Sequence, residues 1–252
     1  PWASGSTAVA QPVVGQAGKD VVWVPTPPEL VEEMLDLARV TPGDFVIDLG
    51  SGDGRNVIAA AKRGARSLGV EYNADLVELS RKSATAAGVA ERAQFVQGDM
   101  YEADISQATV LALFLVPENL LKLRPKFLAL PPGTRIVSNT FGIEGWKPDQ
   151  ESSLPGCNTW CSALLWVVPA RVEGRWTSSG ATLQLQQSYQ MVAGTVTTGN
   201  AATPITQGQI QGSRVTLVAG EARYDGVLVD HRLEGTVTVG DVSSPWTATR
   251  VQ

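Results

Sequence analysis

The fold is decided by the stretch Val46-Ile47-Asp48-Leu49-Gly50-Ser51-Gly52-Asp53-Gly54, residues 46–54. It starts as an apolar β-branched run and continues with glycines at alternate positions, just before a helical apolar pattern over residues 57–63. Glycines let a ligand approach the backbone, and the N-terminus of a helix offers free amide groups. The stretch therefore predicts a strand, a turn and a helix that together bind a nucleotide-type ligand.

The same alternation extends from residue 19 to about residue 169 and predicts an α/β domain, a parallel sheet with helices on both faces. Helices are expected from Pro27-Pro28 through Ala38 and over 57–63, 74–87 and 118–128. Strands are expected over 45–47, 67–70, 93–96, 110–116, 135–138 and 163–168.

Residues 170–252 follow a different pattern. They contain no Lys and many Thr, Gln, Val and Gly, and short alternating runs recur between Gly or Asp-Gly turns. Such runs are typical of an antiparallel sandwich or barrel. Residues 1–18 have neither a helical nor a strand period and are expected to be a flexible leader. We therefore predict a leader over 1–18, an α/β domain over 19–169 and a small antiparallel β domain over 170–252.

Composition excludes several classes of protein. The chain has 252 residues, 43% of them hydrophobic, and a net charge of −5, which disfavours nucleic acid as the main partner. Its longest apolar run, residues 110–116, is far shorter than the roughly 20 residues that a membrane helix needs. Two cysteines and one histidine leave too few ligands for a four-thiolate or histidine-rich metal site, so no metal is expected.

Two further strand ends carry groups that suit the same ligand. Glu71 ends the second predicted strand, where a carboxylate can accept hydrogen bonds from both hydroxyls of a ribose. Gln97-Gly98-Asp99-Met100 follows the third strand. Arg55 occupies the position where the dinucleotide fingerprint G-x-G-x-x-G needs Gly or Ala, so a dehydrogenase is disfavoured.

Asp48 with glycines at 50, 52 and 54 resembles motif I of class I S-adenosylmethionine-dependent methyltransferases. Across residues 21–149, the chain resembles protein-lysine methyltransferases of the ATP synthase c-subunit and adenine nucleotide translocase type and their prokaryotic relatives. The similar stretches are Trp23-Val24-Pro25-Thr26-Pro27, residues 48–55, Gly69-Val70-Glu71-Tyr72-Asn73, Phe114-Leu115-Val116-Pro117 and Gly145-Trp146-Lys147-Pro148-Asp149. Trp23 departs from the family, which more often has Tyr there.

This resemblance implies a Rossmann-like class I sheet and S-adenosyl-L-methionine as cofactor, with S-adenosyl-L-homocysteine as product. It implies that Asp48, Gly50, Ser51, Gly52 and Gly54, with Asp53, surround the methionine portion, and that Pro25 and Thr26 cover the cofactor. Glu71 would bind the ribose, Asp99 with Gly98 and Met100 would lie near adenine, and the stretch from Phe114 to Pro117 would face the methyl group. Tyr72 and Asn73 follow the ribose carboxylate directly, so Tyr72 is expected as an adenine-side wall.

The expected acceptor is a protein lysine, with a small molecule as the alternative substrate. A non-catalytic cofactor-binding module with a β interaction domain is the alternative from another class. Pro117 and Glu118 are the candidate catalytic residues, because Glu118 follows the fourth strand and is placed to orient or deprotonate an acceptor. Glu118 also fits a purely structural role as an acidic residue in the first turn of a helix.

Cofactor supply favours a cytoplasmic location. The missing N-terminal Met and the triplet Ala8-Val9-Ala10, which fits a signal-peptidase site, leave export open. Cys157 and Cys161 are expected to form a disulfide in an exported protein and to stay reduced in a cytoplasmic one.

Overall fold

The computed structural model describes residues 13, 15 and 23–251, so most of the predicted leader, the Ala8-Val9-Ala10 triplet and residues 19–22 lie outside the described part. The chain divides into two compact units. The first comprises Pro1–Leu130 and Thr134–Trp166, and the second comprises Pro131–Gly133 and Val167–Gln252. The observed boundary follows Trp166, three residues before the predicted boundary after residue 169. The turn Pro131–Gly133 also belongs to the second unit. That each predicted domain folds by itself stays a prediction.

The first unit is a seven-stranded mixed sheet with the strand order β3-β2-β1-β4-β5-β7-β6. The strands from β3 to β5 pair in parallel, and β6 pairs antiparallel with β7. The predicted α/β class is confirmed. The strands are β1 (Phe45–Leu49), β2 (Arg66–Glu71), β3 (Ala93–Gln97), β4 (Val110–Leu113), β5 (Arg135–Asn139), β6 (Gln150–Ser153) and β7 (Ser162–Val167). The helices are α1 (Pro28–Leu37), α2 (Arg55–Lys62), α3 (Ala74–Ala86) and α4 (Pro117–Phe127).

The helices follow from the apolar spacing that predicted them. In α1, Leu30, Val31, Met34 and Leu35 are buried and pack in one core cluster with β1, β4 and β5. Prolines occupy the first turns of α1 and α4, where no intrahelical amide bond is lost. Every helix in the described part of the chain falls short of the length and hydropathy required to cross a membrane.

The predicted strand over 110–116 is wrong at its end. β4 stops at Leu113, because Val116 is already the N-cap of α4 and Pro117 opens that helix. The residues between them form the loop at the carboxyl end of β4. Strand β6 was not predicted, since its sequence Gln150-Glu151-Ser152-Ser153 is polar throughout.

The second unit is a closed eight-stranded antiparallel barrel, which decides between the predicted sandwich and barrel. Sequential strands pair with one another, and β15 closes the barrel on β8 through pairs such as Ala248 with Ser178. Buried side chains, including Trp176 and Trp246, fill its core. The strands are β8 (Gly174–Ser178), β9 (Ala181–Ser188), β10 (Met191–Thr198), β11 (Ala201–Gln211), β12 (Arg214–Ala219), β13 (Ala222–Val229), β14 (Arg232–Val239) and β15 (Val242–Arg250).

Candidate active site

The glycine turn after β1 has a backbone that only glycine adopts easily. Gly50, Gly52 and Gly54 all have positive φ angles, of 72°, 55° and 80°. Gly54 is also the N-cap residue of α2, and a Cβ there would lie 2.6 Å from the Phe95 ring. The turn is fixed to the neighbouring strand, because the Gly50 amide donates to the Val70 carbonyl at 2.8 Å. The glycines therefore set both the path of the turn and the start of the helix.

A partly open cleft lies over this turn. Eight of the predicted site residues line it together: Pro25, Thr26, Asp48, Gly50, Ser51, Gly52, Asp53 and Phe114. The prediction omitted four more lining residues: Trp23, Val24, Arg55 and Asn56. Trp23 and Val24 belong to a motif that was recognised without being assigned to the site, and Arg55 and Asn56 directly follow the glycine turn.

Trp23 and Arg55 connect the segment before α1 to the glycine turn. A Cβ on Gly52 would lie 2.5 Å from Trp23 Nε1, so the indole occupies the space that the missing side chain leaves. The Arg55 guanidinium donates to the Thr26 carbonyl and forms an ion pair with Asp53 at 2.6 Å. These contacts place Trp23 and Thr26 as a cover over one side of the cleft.

Asp48 is a buried carboxylate, 3% exposed, at the base of the cleft. Burial raises the pKa of its carboxyl well above the ordinary range, and the nearby carboxylates of Glu71 and Asp53 add to this rise. The Asn56 amide opposes the rise by donating to Asp48 Oδ2 at 3.1 Å. A carboxylate in this position favours a cationic partner.

Glu71 lies behind the glycine turn and outside the residues that line the cleft. Its Oε2 accepts from the Gly52 amide at 2.8 Å, and its Oε1 accepts from the Asn73 amide at 2.9 Å. Asn73 caps α3 by accepting from the Asp75 amide, and Tyr72 is 53% exposed. Each carboxylate oxygen has a second lone pair, so these bonds leave acceptor capacity for a ligand.

The loop after β3 lies beside Glu71. The Gly98 amide donates to the Glu71 carbonyl at 3.0 Å, and Asp99 Oδ1 accepts from the Tyr101 amide at 2.9 Å. Gly98, Asp99 and Met100 are thus close to the ribose-binding candidate without lining the cleft.

The residues after β4 separate into two groups. Phe114 lines the cleft, and Leu115 is buried against Gly50, where a Cβ would lie 3.3 Å from Leu115 Cδ2. Pro117 and Glu118 are exposed in the first turn of α4. Glu118 therefore also fits the purely structural role of an acidic residue near a helix N-terminus. Neither of these two residues lines the cleft.

Known proteins resemble the chain over its methyltransferase-like part. The profile of the ANTKMT methyltransferase domain matches residues 48–150. A protein-lysine N-methyltransferase from Saccharolobus islandicus (strain REY15A) is 40% identical over 151 residues, which are 59% of this chain and 94% of that protein. The chain belongs to the family of the ANTKMT methyltransferase domain. The lysine N-methyltransferase of the ATP synthase c-subunit from Mus musculus is 38% identical over 145 residues, 56% of this chain. The chain spans only 58% of that mouse protein.

A solved structure supports the family assignment. The crystal structure of an RNA methyltransferase from Salinibacter ruber in complex with S-adenosyl-L-homocysteine is 46% identical, with a TM-score of 0.56. The match covers 59% of this chain and 96% of that one. The predicted enzyme class and cofactor are confirmed: the protein is an S-adenosyl-L-methionine-dependent methyltransferase.

The residues of the cleft fit this cofactor, which carries a positive sulfonium and a positive ammonium group. The buried Asp48 carboxylate supplies the opposite charge. Ser51 Oγ and Asn56 Oδ1 are buried polar atoms without a hydrogen-bond partner among the described residues, so they are available to a polar ligand.

Proposed function

We propose that the protein transfers the methyl group of S-adenosyl-L-methionine to the side-chain nitrogen of a protein lysine. One observation carries this proposal: the chain is 40% identical to a protein-lysine N-methyltransferase and covers 94% of it. The mouse relative is also named for a lysine acceptor. A small-molecule acceptor is the alternative within the same chemistry.

The proposed cofactor contacts are assigned residue by residue. Asp48, Gly50, Ser51 and Gly52, with Asp53 and Gly54, hold the methionine portion, and Glu71 accepts from the ribose hydroxyls. Tyr72, Asn73, Gly98, Asp99 and Met100 surround the adenine side. Pro25 and Thr26 cover the cofactor together with Trp23, whose place over Gly52 supports this role. Phe114 and Leu115 lie nearest the methyl group.

The bound cofactor supplies an electrophilic methyl group on its sulfonium. The chain must therefore align a neutral amine with that group and exclude water. The apolar side chains of Phe114 and Leu115 support a partly desolvated acceptor site, which lowers the pKa of a lysine ammonium and favours its neutral form. Pro117 fixes the start of α4, and Glu118 in the first turn orients the acceptor amine or takes its proton.

The test is a transfer assay with S-adenosyl-L-methionine carrying a tritiated methyl group. Lysine-bearing proteins, RNA and small amines are offered separately, and labelled protein is hydrolysed and analysed for methyllysine by mass spectrometry. Label in methyllysine supports the proposal. Label confined to RNA or to small amines would overturn it, and RNA labelling would also overturn the expectation that nucleic acid is not a partner.

The role of Glu118 is tested with Glu118→Gln. The loss of a positioned base lowers transfer by about 10²-fold or more, whereas the cofactor Kd stays unchanged. Glu78→Gln is the matched control, because Glu78 is an exposed glutamate on α3 that pairs with Lys82 at 2.7 Å. Equal transfer by Glu118→Gln and wild type would leave Glu118 only its structural role.

We propose the cytoplasm as the location, because it supplies the cofactor. The Cys157–Cys161 disulfide is the observation that opposes this proposal, since disulfides persist mainly in oxidising compartments. Alkylation of thiols in intact cells, followed by mass spectrometry of the protein, decides the matter. Alkylated cysteines support the cytoplasm, and an unmodified disulfide supports export.

A further inference from the structure

Cys157 and Cys161 form a disulfide in the segment between β6 and β7. The Leu154 amide donates to the Cys161 carbonyl at 2.9 Å, which closes the base of this segment. Trp160, inside the disulfide loop, has a φ of 57°, a conformation that bulky residues rarely adopt. The short covalent ring therefore restricts where the Trp160 side chain can lie.

Trp160 packs against two phenylalanines from neighbouring strand ends. Its ring centroid lies 5.5 Å from that of Phe114, which follows β4, and 5.2 Å from that of Phe141, which follows β5. Phe114 and Phe141 are stacked at 6.1 Å. We call these three residues the aromatic trio. All three are half-buried, and Phe114 lines the cofactor cleft. The trio therefore forms a partly exposed apolar surface that extends outward from the cleft.

Buried polar atoms at the same edge of the sheet are a second, independent observation. Ser138 Oγ, Asn139 Oδ1 and Thr140 Oγ1, at the end of β5, have no hydrogen-bond partner within the described part of the chain. Asn139 also donates through Nδ2 to Thr26, a cleft residue, at 3.2 Å. Such atoms are normally satisfied by a ligand or by water. A ligand with polar groups therefore suits this edge.

We propose that the aromatic trio first binds the methyl acceptor through its charged alkylammonium side chain, before the amine loses its proton, and that the Cys157–Cys161 disulfide, in the oxidised chain, holds Trp160 in its binding position. This inference rests on the proposed lysine acceptor and names the part of the chain that recognises it. Aromatic faces attract organic cations, Trp most strongly, and their apolar surface also packs against an aliphatic stem. Trp160 is thus a specificity-determining residue for the acceptor, and Cys157 and Cys161 are positioning residues.

The first test compares choline with its uncharged isostere, 3,3-dimethylbutan-1-ol, as probes on the full chain saturated with S-adenosyl-L-homocysteine. Binding is measured by ligand-observed NMR. Wild type is expected to bind choline at least about fivefold tighter, a difference of about 1 kcal/mol. Trp160→Ala abolishes this preference, and Trp160→Phe retains part of it. Met191→Ala, which shortens an exposed side chain in the barrel, retains all of it.

The second test removes the disulfide. The double variant Cys157→Ser, Cys161→Ser is expected to lose the choline preference as Trp160→Ala does, with an unchanged Kd for S-adenosyl-L-homocysteine. Dithiothreitol reproduces the loss in wild type and has no further effect on the double variant. The unchanged Kd shows that the fold of the variants is intact.

Equal binding of the two probes by wild type would overturn the inference, and so would an undiminished preference in Trp160→Ala. A preserved preference in the double variant would overturn the role of the disulfide. Failure of the proposed function can be distinguished from failure of this inference. If the choline preference is present but no methyllysine forms, the trio binds cations and lysine is not the acceptor. If methyllysine forms with the same acceptor KM in wild type and Trp160→Ala, the trio does not recognise the acceptor.

Discussion

The Glu71 carboxylate at the end of β2 accepts a hydrogen bond from the amide of Gly52, with 2.8 Å between Oε2 and N. The residue predicted to bind the ribose therefore also fixes the glycine turn that forms the cleft. On the proposed assignment, a single side chain couples the shape of the turn to the position of the ribose.

Glu71→Gln is expected to weaken S-adenosyl-L-homocysteine binding by about 10- to 100-fold, because hydrogen bonds to a charged acceptor contribute about 1.5–3 kcal/mol. An amide also presents an N–H group where the backbone amide needs an acceptor. Isothermal titration calorimetry measures the change, with the exposed Glu78→Gln as the control that keeps wild-type affinity. Wild-type affinity in Glu71→Gln would contradict the proposed role of Glu71.

Gly54→Ala tests the packing beneath the turn. An added Cβ would lie 2.6 Å from the Phe95 ring and 2.9 Å from Ser80 Cβ. Gly88→Ala is the matched control, because Gly88 has a similar positive φ of 71° but no atom within 4 Å of the added Cβ. The control loses about 1–2 kcal/mol through backbone strain, and Gly54→Ala loses a further ~1–3 kcal/mol through overpacking. Urea denaturation compares the two, and equal losses would contradict the crowding at Gly54.

The raised pKa of Asp48 predicts that stability and cofactor affinity change in opposite directions as the pH rises. The pKa of Asp48 is higher in the folded chain than in the unfolded chain. Between these two pKa values the folded state holds a proton that the unfolded state has lost, so the free energy of unfolding without ligand falls as the pH rises. Cofactor affinity rises over the same interval, because the cationic cofactor binds the ionised carboxylate. Denaturation and calorimetry at several pH values measure both trends.

Asp48→Asn removes the titrating group and should abolish both trends, leaving weak and pH-independent cofactor binding. Asp75→Asn is the control, because Asp75 is exposed in the first turn of α3 and should leave both trends intact. A persistent pH dependence in Asp48→Asn would assign the titration to another group.

The predicted domain boundary is tested by expressing residues 19–169 without the barrel. This fragment is expected to bind S-adenosyl-L-homocysteine within about twofold of the full chain, because all the residues that line the cleft belong to it. Binding is measured by calorimetry after circular dichroism has established that the fragment is folded. A fragment that does not fold would show that the boundary is wrong.

The sequence by itself determined the parts of the structure that depend on local patterns. The glycine turn, the strand before it and the helix after it lie close together in the chain, and their period and glycine spacing are sufficient to predict them. The same holds for α1, whose buried residues recur at three- and four-residue intervals. Eight cleft residues were predicted because they belong to short motifs.

Only the tertiary structure decided the features that need partners distant in sequence. β11 contains Pro204 and many polar residues, and β15 contains Pro245, so neither resembles a strand until its neighbours in the barrel supply the pairing. The position of Trp23 over Gly52 and the meeting of Phe114, Phe141 and Trp160 likewise depend on long-range packing. Local sequence does not encode such contacts, because they form only when separate strands and loops are brought to one edge of a sheet.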